Sequence, residues 1–163
     1  MANSIDSGKA ENGDQPQINV LGQYIKDLSF ENPNAPRSLR NLGKPGVEIS
    51  FNVQAQPIGE EIFEVLLSIE ATAKSDEETV YTMELVYGGG FRLHNLPKEA
   101  IQPVLFIECP ALMFPFVRRL VADLTREGGY PPLLIDPIDF ASLYRQRMMQ
   151  AQAGNGMPVA GNA

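Results

Sequence analysis

The stretch from residue 60 to residue 93 constrains the fold of this chain more than any other. Apolar and polar side chains alternate across residues 63–73, and the alternation resumes across residues 81–87 after a polar run at residues 74–78. A repeat of two residues is typical of a β-strand that buries one face. β-branched and aromatic residues, which favour strands, are frequent in both segments. The stretch therefore predicts a long antiparallel hairpin.

Two further segments are predicted to complete a sheet. Residues 17–30 alternate well enough for a first strand, in which Gly22 indicates a bulge or a close approach. The prolines within residues 32–36 end that strand, because proline has no N–H to donate to a neighbouring strand. Residues 47–55 alternate cleanly and form the next strand. The first strand is predicted to place Tyr24, Lys26, Leu28 and Phe30 on one face and Ile25, Asp27, Ser29 and Glu31 on the other.

After residue 97 the pattern changes to one typical of helices. Prolines at positions 103, 110 and 115 predict a kink or a break near Cys109-Pro110, and residues 111–127 form the best helix. A last helix is predicted to have Asp136 as its cap and Pro137 at its first position. Four strands followed by helices predict an α+β fold. In this fold a four-stranded antiparallel sheet is followed by a kinked helix and a C-terminal helix packed on one face.

The composition divides the chain into one domain and two tails. Residues 1–16 are polar and residues 149–163 are low in complexity, so both are predicted to be disordered, with a domain spanning residues 17–148. No uninterrupted apolar run reaches the roughly 18–20 residues of a membrane helix. The N-terminus also lacks the pattern of a signal peptide. A single cysteine fits a reducing compartment, so we expect a soluble, cytoplasmic protein without direct membrane insertion.

The negative charge of the chain is concentrated in the hairpin. Residues 60–84 contain eight acidic residues and one lysine, whereas the other residues contain twelve acidic and twelve basic ones. Two interpretations stay open: a solvated sheet face that keeps the protein soluble, or a surface on which a basic partner docks. A nucleic-acid partner is not expected, because no basic patch or stripe occurs in the sequence.

Sequence motifs of catalysis and metal binding are absent. One histidine and one cysteine do not make the usual metal site. His94 and Cys109 could pair as base and nucleophile, although lone residues of these types are more often packing residues. Glycines 88–90 indicate a bend or a close approach rather than a phosphate-binding loop, because no Lys-Ser/Thr follows them. We therefore expect a binding protein with no metal, no cofactor and no enzymatic activity.

Three segments resemble the SecB family of protein-export chaperones. They are KDLSFENPNAP at residues 26–36, EEIFEVLLSIEATA and EETVYTMELVYGGGF in the hairpin, and ECPALMFPFVRRLVADLTREGGYPPLLIDPIDFASLY at residues 108–144. The resemblance implies an ATP-independent holdase that binds unfolded preproteins in apolar grooves and passes them to the SecA translocation ATPase. It also implies a homotetramer, a dimer of dimers, in the cytoplasm. The alternative is an adaptor that uses its acidic face without holding a client.

The resemblance also assigns residues to three surfaces. The acidic face that would bind SecA comprises Asp27, Glu31, Thr82 and Glu84. The apolar groove that would bind clients comprises Leu39, Leu42, Val47, Ile49 and Phe51. The tetramer interface would involve Met83, Leu85 and Tyr87. These last three lie on the apolar face of the hairpin, so an ordinary core explains them equally well.

Overall fold

The predicted hairpin forms the centre of the sheet. In the computed structural model, which describes residues 15–40 and 45–155, strand β3 (Ile62–Ser75) pairs with β4 (Glu78–His94). Strand β1 (Gln17–Glu31) pairs with β4, and β2 (Gly46–Gly59) pairs with β3. The strand order is β1-β4-β3-β2, and every pairing is antiparallel. The predicted four-stranded antiparallel sheet is confirmed, and β1 and β2 are its edges.

The faces predicted for β1 are wrong in part, because a bulge at Lys26 shifts the register. Ile25 pairs with Tyr87 and Asp27 pairs with Val86, so Lys26 is an extra residue between consecutive pairs. An extra residue reverses the alternation of side chains beyond it. The outer face of β1 therefore carries Tyr24, Lys26, Asp27, Ser29 and Glu31, whereas Ile25, Leu28 and Phe30 lie on the side of the helices.

Glycines make room where β1 crosses β4. A register shift between Val20 and Gly22 confirms the bulge predicted there. A Cβ at Gly88 would lie 2.3 Å from the ring of Tyr24, closer than side-chain atoms can approach. The close approach predicted for the glycine run is therefore made by an aromatic side chain of the neighbouring strand.

The long helical segment is continuous and changes geometry instead of breaking. Helix α1 (Lys98–Pro103) leads into a π-helical turn (Val104–Glu108), in which the N–H of Cys109 donates to the carbonyl of Val104, and then into α2 (Cys109–Glu127). A π turn accommodates an irregularity without ending a helix, so the irregularity predicted near Cys109-Pro110 takes the form of a π turn just before these residues. By length and composition alone the segment 98–127 is apolar enough to cross a membrane, but part of it packs in the core of the domain.

The C-terminal helix α3 (Phe140–Asn155) differs from the prediction at both ends. Its cap is Asp139 and not Asp136, because the Asp139 carboxylate accepts a hydrogen bond from the N–H of Ser142 at 3.0 Å. The hydroxyl of Ser142 also donates to this carboxylate, and the two hydrogen bonds hold the pKa of Asp139 below its ordinary value. At its other end the helix continues into the predicted C-terminal tail. The rest of that tail and residues 1–14 lie outside the described part of the chain.

The hydrophobic core lies between the sheet and helix α2. Its fully buried members include Val65, Leu67, Ile69, Met83, Leu85 and Phe91 of the hairpin and Met113, Val117 and Val121 of α2. Burial of each such side chain stabilises the fold by about 1.5–3 kcal/mol. The helices therefore cover one face of the sheet, as predicted, and the other face is an outer surface of the described chain.

Candidate functional site

The pairing of β1 with β4 brings the four predicted SecA-binding residues onto one surface. Glu31 pairs with Thr82, and Thr82 Oγ1 lies 3.5 Å from Glu31 Oε2. Glu84 pairs with Ser29, and Asp27 lies further along the same outer face. The three carboxylates are exposed, and Thr82 is half-buried between them. The structure thus groups the residues that the resemblance assigned separately to two distant segments.

Glu70 extends this surface, although it was not among the residues predicted to bind SecA. It lies directly opposite Glu84 in the pairing of β3 with β4, and both side chains are exposed. Like charges at paired positions repel each other, so a cationic partner would relieve a cost that the free sheet bears. Alternation alone places Glu70 on the polar face, but only the register shows which carboxylate it faces. We call Asp27, Glu31, Glu70 and Glu84 the acidic patch.

Glu64 lies on the same outer face but is not part of the acidic patch. It is only 8% exposed, and the hydroxyl of Tyr24 donates to its carboxylate. Lys26 Nζ lies 2.9 Å from Glu64 Oε1, and Gln56 Nε2 donates to the same oxygen at 2.9 Å. The hydrogen bonds from Tyr24 and Lys26 hold the pKa of Glu64 below its ordinary value. Burial and the Glu64 carboxylate raise the pKa of Tyr24 to about 12, so its hydroxyl remains a donor at neutral pH.

The predicted client-binding residues of β2 lie along the margin of the core. Val47, Ile49 and Phe51 are on the side of the helices and are each half-buried against the core cluster. They lie on an edge strand, where the helices cover the sheet incompletely. Leu39, in the 3₁₀ helix Arg37–Leu39, is also half-buried. Leu42, also predicted to bind clients, lies outside the described residues.

A cavity of about 310 Å³ lies between β2 and α3, and we call it the β2–α3 groove. The rings of Phe106, from the π turn, and Tyr144, from α3, stack with their centres 5.9 Å apart beside it. Neither residue was predicted as part of a client site. Tyr144 belongs to a helical apolar stripe, whereas nothing in the sequence around Phe106 indicates a groove. The lining includes Phe51, Val53, Phe106, Leu143, Tyr144 and Arg147.

Polar contacts anchor the segment that crosses from β1 to β2. The hydroxyl of Tyr130 donates to Asn32 Oδ1 at 2.5 Å and accepts from the hydroxyl of Ser38 at 2.7 Å. Leu39 packs against Gly129, where a Cβ would lie 2.9 Å from Leu39 Cδ2. Gly129 also has a φ of +93°, a conformation that favours glycine. The described part of the crossing segment, from Asn32 to Leu39, is thus held against the loop that follows α2.

His94 and Cys109 have different surroundings. His94 Nδ1 lies 3.0 Å from Glu61 Oε2 in a partly exposed pair. Cys109 is fully buried, and burial raises the pKa of its thiol to about 12. Such a thiol stays protonated and unreactive at neutral pH, so the structure does not support a nucleophile–base pair. Within the described ranges, no three His, Cys, Asp or Glu residues are placed to hold a metal ion.

Sequence comparison identifies the family. A family model described as SecB, preprotein translocase subunit SecB, matches residues 11–151. The chain belongs to the SecB family. The protein-export protein SecB of Mesorhizobium japonicum is 48% identical over 155 residues, which cover 94% of this chain and 93% of that protein. The protein of the same name from Azorhizobium caulinodans is 54% identical over 161 residues, covering 98% and 99%.

A solved structure has a similar fold. The SecB-like chaperone Rv1957 of Mycobacterium tuberculosis, in complex with a ChAD peptide from the Rv1956 HigA1 antitoxin, matches with a TM-score of 0.62. The match covers 74% of this chain and 90% of that chain at 16% identity, so it bears on the fold alone. It confirms the α+β fold. SecB proteins are protein-export chaperones and not enzymes, so the predicted function and the absence of enzymatic activity are confirmed at the level of the family.

The three residues expected at the tetramer interface lie in the core of this SecB chain. Met83 and Leu85 are each 1% exposed and Tyr87 is 8% exposed. They belong to the same core cluster as the buried side of α2. They could therefore influence assembly only through the elements packed on them, and that role stays a prediction.

Large apolar side chains are exposed on β1 and α2 of this SecB chain. Val20 and Leu28 on β1 are 45% and 39% exposed. Leu112 and Phe116, one turn apart on α2, are 48% and 49% exposed. Large apolar side chains that are exposed to this degree are candidates for a surface that another protein covers. We call these four residues the β1–α2 apolar surface.

Proposed function

We propose that this SecB-family protein is an ATP-independent, cytoplasmic holdase that binds unfolded preproteins in the β2–α3 groove and delivers them to SecA through the acidic patch. The observation that carries the proposal is the separation of two exposed surfaces. The groove lies beside edge strand β2 on the helix side, and the patch lies on the outer face of the sheet. One molecule can therefore hold a client and dock on a second protein at the same time.

The chemistry of the groove suits an unfolded client. Its apolar lining recognises hydrophobicity rather than a particular sequence, and its aromatic rings bury large areas on contact. A single groove of this size binds a short segment weakly, so tight holding of a long chain requires several grooves at once. The Rv1957 chaperone was solved with a bound peptide, which is compatible with a peptide-binding role for this fold.

The acidic patch suits a basic surface of SecA. Four carboxylates on one flat sheet face steer a positively charged partner and speed its association. The bulge in β1 places Lys26 on this face. Lys26 is paired with Glu64, so the patch keeps its net negative charge. The contact would weaken as salt concentration rises, because exposed charges are screened over about 8–10 Å at physiological ionic strength.

A homotetramer gives the β1–α2 apolar surface a partner. The exposed side chains on β1 and α2 are large and apolar, and a second copy of the chain would remove them from water. Assembly would also place several grooves on one particle, which is the condition for holding a long client.

The test is light scattering of an unfolded protein that aggregates as it refolds, recorded with and without this protein and without ATP. We expect scattering to be suppressed when the tetramer and the aggregating protein are present at similar concentrations. Native mass spectrometry should show four chains, and surface plasmon resonance should show binding to purified SecA. Unchanged scattering with intact SecA binding would refute the holdase and favour the adaptor.

A further inference from the structure

Arg147 lies at the boundary between two cavities along β2. The first is the β2–α3 groove, and the second, also of about 310 Å³, continues past Val53 towards the outer face of the sheet. Phe106 and Arg147 are the residues that line both cavities. The lining of the second cavity includes Gln54, Ala55, Gln56, Glu64 and Leu66.

Two contacts hold the guanidinium of Arg147 in this position. Arg147 Nη1 donates to the carbonyl of Val53 at 2.5 Å, and the guanidinium carbon lies 5.1 Å from the centre of the Phe106 ring. Within the described residues β2 pairs on one side only, with β3, and Val53 lies opposite Leu67 in that pairing. The arginine therefore supplies Val53 with the kind of donor that a neighbouring strand would supply.

We propose that Arg147 is a gate in the client groove. With its side chain on Val53, it separates the two cavities and occupies the edge of β2. With its side chain displaced, the cavities join into one longer groove, and the Val53 carbonyl becomes free to accept a backbone N–H from an extended client. This inference rests on the proposed holdase function and assigns a positioning residue to its groove.

The gate opens at small cost, since Arg147 is an exposed residue. One hydrogen bond and one cation–π contact at a site that water reaches have a small net free energy, because water replaces the lost partners. An extended client restores the bond with its own backbone, in the way that a peptide adds to the edge of a sheet. Opening of the gate therefore favours binding of a segment that is long enough to occupy both cavities. It changes the affinity for a shorter segment little.

The experiment compares fluorescein-labelled unfolded peptides of two lengths by fluorescence anisotropy, using the full-length protein. Strand β2 contributes residues 51–53 to the first cavity and residues 54–56 to the second, so an extended peptide of about three residues covers one cavity and one of about eight residues covers both. We expect Arg147→Ala to bind the long peptide roughly two- to tenfold more tightly than wild type. This range corresponds to the net free energy of one hydrogen bond. The short peptide should change less.

Three variants separate gating from a structural role. Arg145→Ala removes the same charge from a neighbouring exposed position on α3 and should leave both affinities unchanged. Arg147→Lys keeps a charged donor and should remain close to wild type. Arg147→Met keeps length without a donor and should tighten binding of the long peptide, which preserves the test if Arg147→Ala fails to fold. A purely structural role for Arg147 would lower the thermal midpoint without tightening any binding.

The outcomes distinguish the gate from the holdase. If wild type binds the long peptide and the Arg147→Ala and Arg147→Met variants bind it no more tightly, the gate is refuted and the holdase stands. If wild type binds neither peptide, the proposed groove is refuted, and the gate with it. Length-dependent tightening in both variants, with Arg145→Ala unchanged, supports the gate.

Discussion

Glu64 is a carboxylate on the outer face of the sheet whose charge is already compensated within the chain. Tyr24, Lys26 and Gln56 surround it, and it is almost fully buried. A buried carboxylate with charged and neutral donors favours its ionised form. Its role is therefore in the stability of the sheet, where it ties β1 to β3 across β4.

Replacing Glu64 by Gln should destabilise the protein in a pH-dependent way. The pKa of Glu64 is lowered in the folded state, so ionised Glu64 stabilises the fold above the ordinary glutamate pKa of about 4.3, and that contribution is lost as the pH falls through the folded-state pKa. We expect Glu64→Gln to lower the free energy of unfolding by about 1–3 kcal/mol at pH 7. The difference should shrink towards pH 3, as measured by urea unfolding at fixed protein concentration. Glu84→Gln, in an exposed position, is the control, and a constant difference at all pH values would contradict this assignment.

Reversing the charge of Glu84 should weaken binding to SecA. Glu84 lies opposite Glu70 and beside β1 in the acidic patch, so Glu84→Lys changes the net charge of the patch from about −4 to about −2 and weakens its field. We expect the Kd for SecA to rise by roughly three- to tenfold at low salt, with client binding unchanged. Glu99→Lys makes the same charge change at an exposed position on α1 and should have little effect. Equal SecA affinity of wild type and Glu84→Lys at low salt would reject the acidic patch as the docking surface.

At the scale of elements, β2 has a different environment on each of its two faces. On the helix side, Val47, Ile49 and Phe51 are half-buried, and α3 packs beside only part of the strand. On the outer side, the alternate residues are polar and exposed. Alternation in the sequence predicted the two faces, but it could not show that the apolar one would be left partly open. That depends on where the helices end after folding.

Removing the apolar side chains of β2 should weaken client binding and leave a tetramer. Each of Val47, Ile49 and Phe51 exposes part of a side chain whose full burial is worth about 1.5–3 kcal/mol, so their combined change to Ala should raise the client Kd by roughly tenfold or more. Fluorescence anisotropy with an unfolded peptide and native mass spectrometry measure the two properties. The control is the combined change of Glu48 and Ser50 to Ala on the opposite face of the same strand, since neither residue lines the groove. Undiminished binding by the apolar variant would exclude the apolar margin of β2, of which Phe51 lines the β2–α3 groove, from client binding.

At the scale of the whole molecule, the exposed apolar side chains on β1 and α2 form a candidate surface for contact with another protein chain. Leu112 and Phe116 are among the large apolar residues that the fold leaves in contact with water. The residues expected at the interface from the resemblance are instead buried in the core. We therefore propose that assembly uses side chains that the sequence pattern alone assigns to an ordinary helix.

Changing Leu112 and Phe116 to Ser should dissociate the tetramer. Each side chain is already about half buried, so burying the rest at an interface would stabilise it by about half of the 1.5–3 kcal/mol of full burial, and the double change should weaken association by roughly tenfold or more. Analytical ultracentrifugation over a range of protein concentrations should show smaller species with unchanged secondary structure. Met149→Ser, which removes an exposed apolar residue from α3, is the control. A stable tetramer in the double variant would show that the copies meet elsewhere.

The sequence by itself determined the elements of this protein and its family. Alternation predicted the hairpin and the class of the fold, since periodicity follows directly from strand geometry. The tertiary structure decided what those elements present to a partner. It placed Tyr24 on Glu64, 40 residues away, and Arg147 on Val53, 94 residues away. Such contacts depend on register, on bulges and on where a helix ends, and these are settled only when distant segments pack against one another.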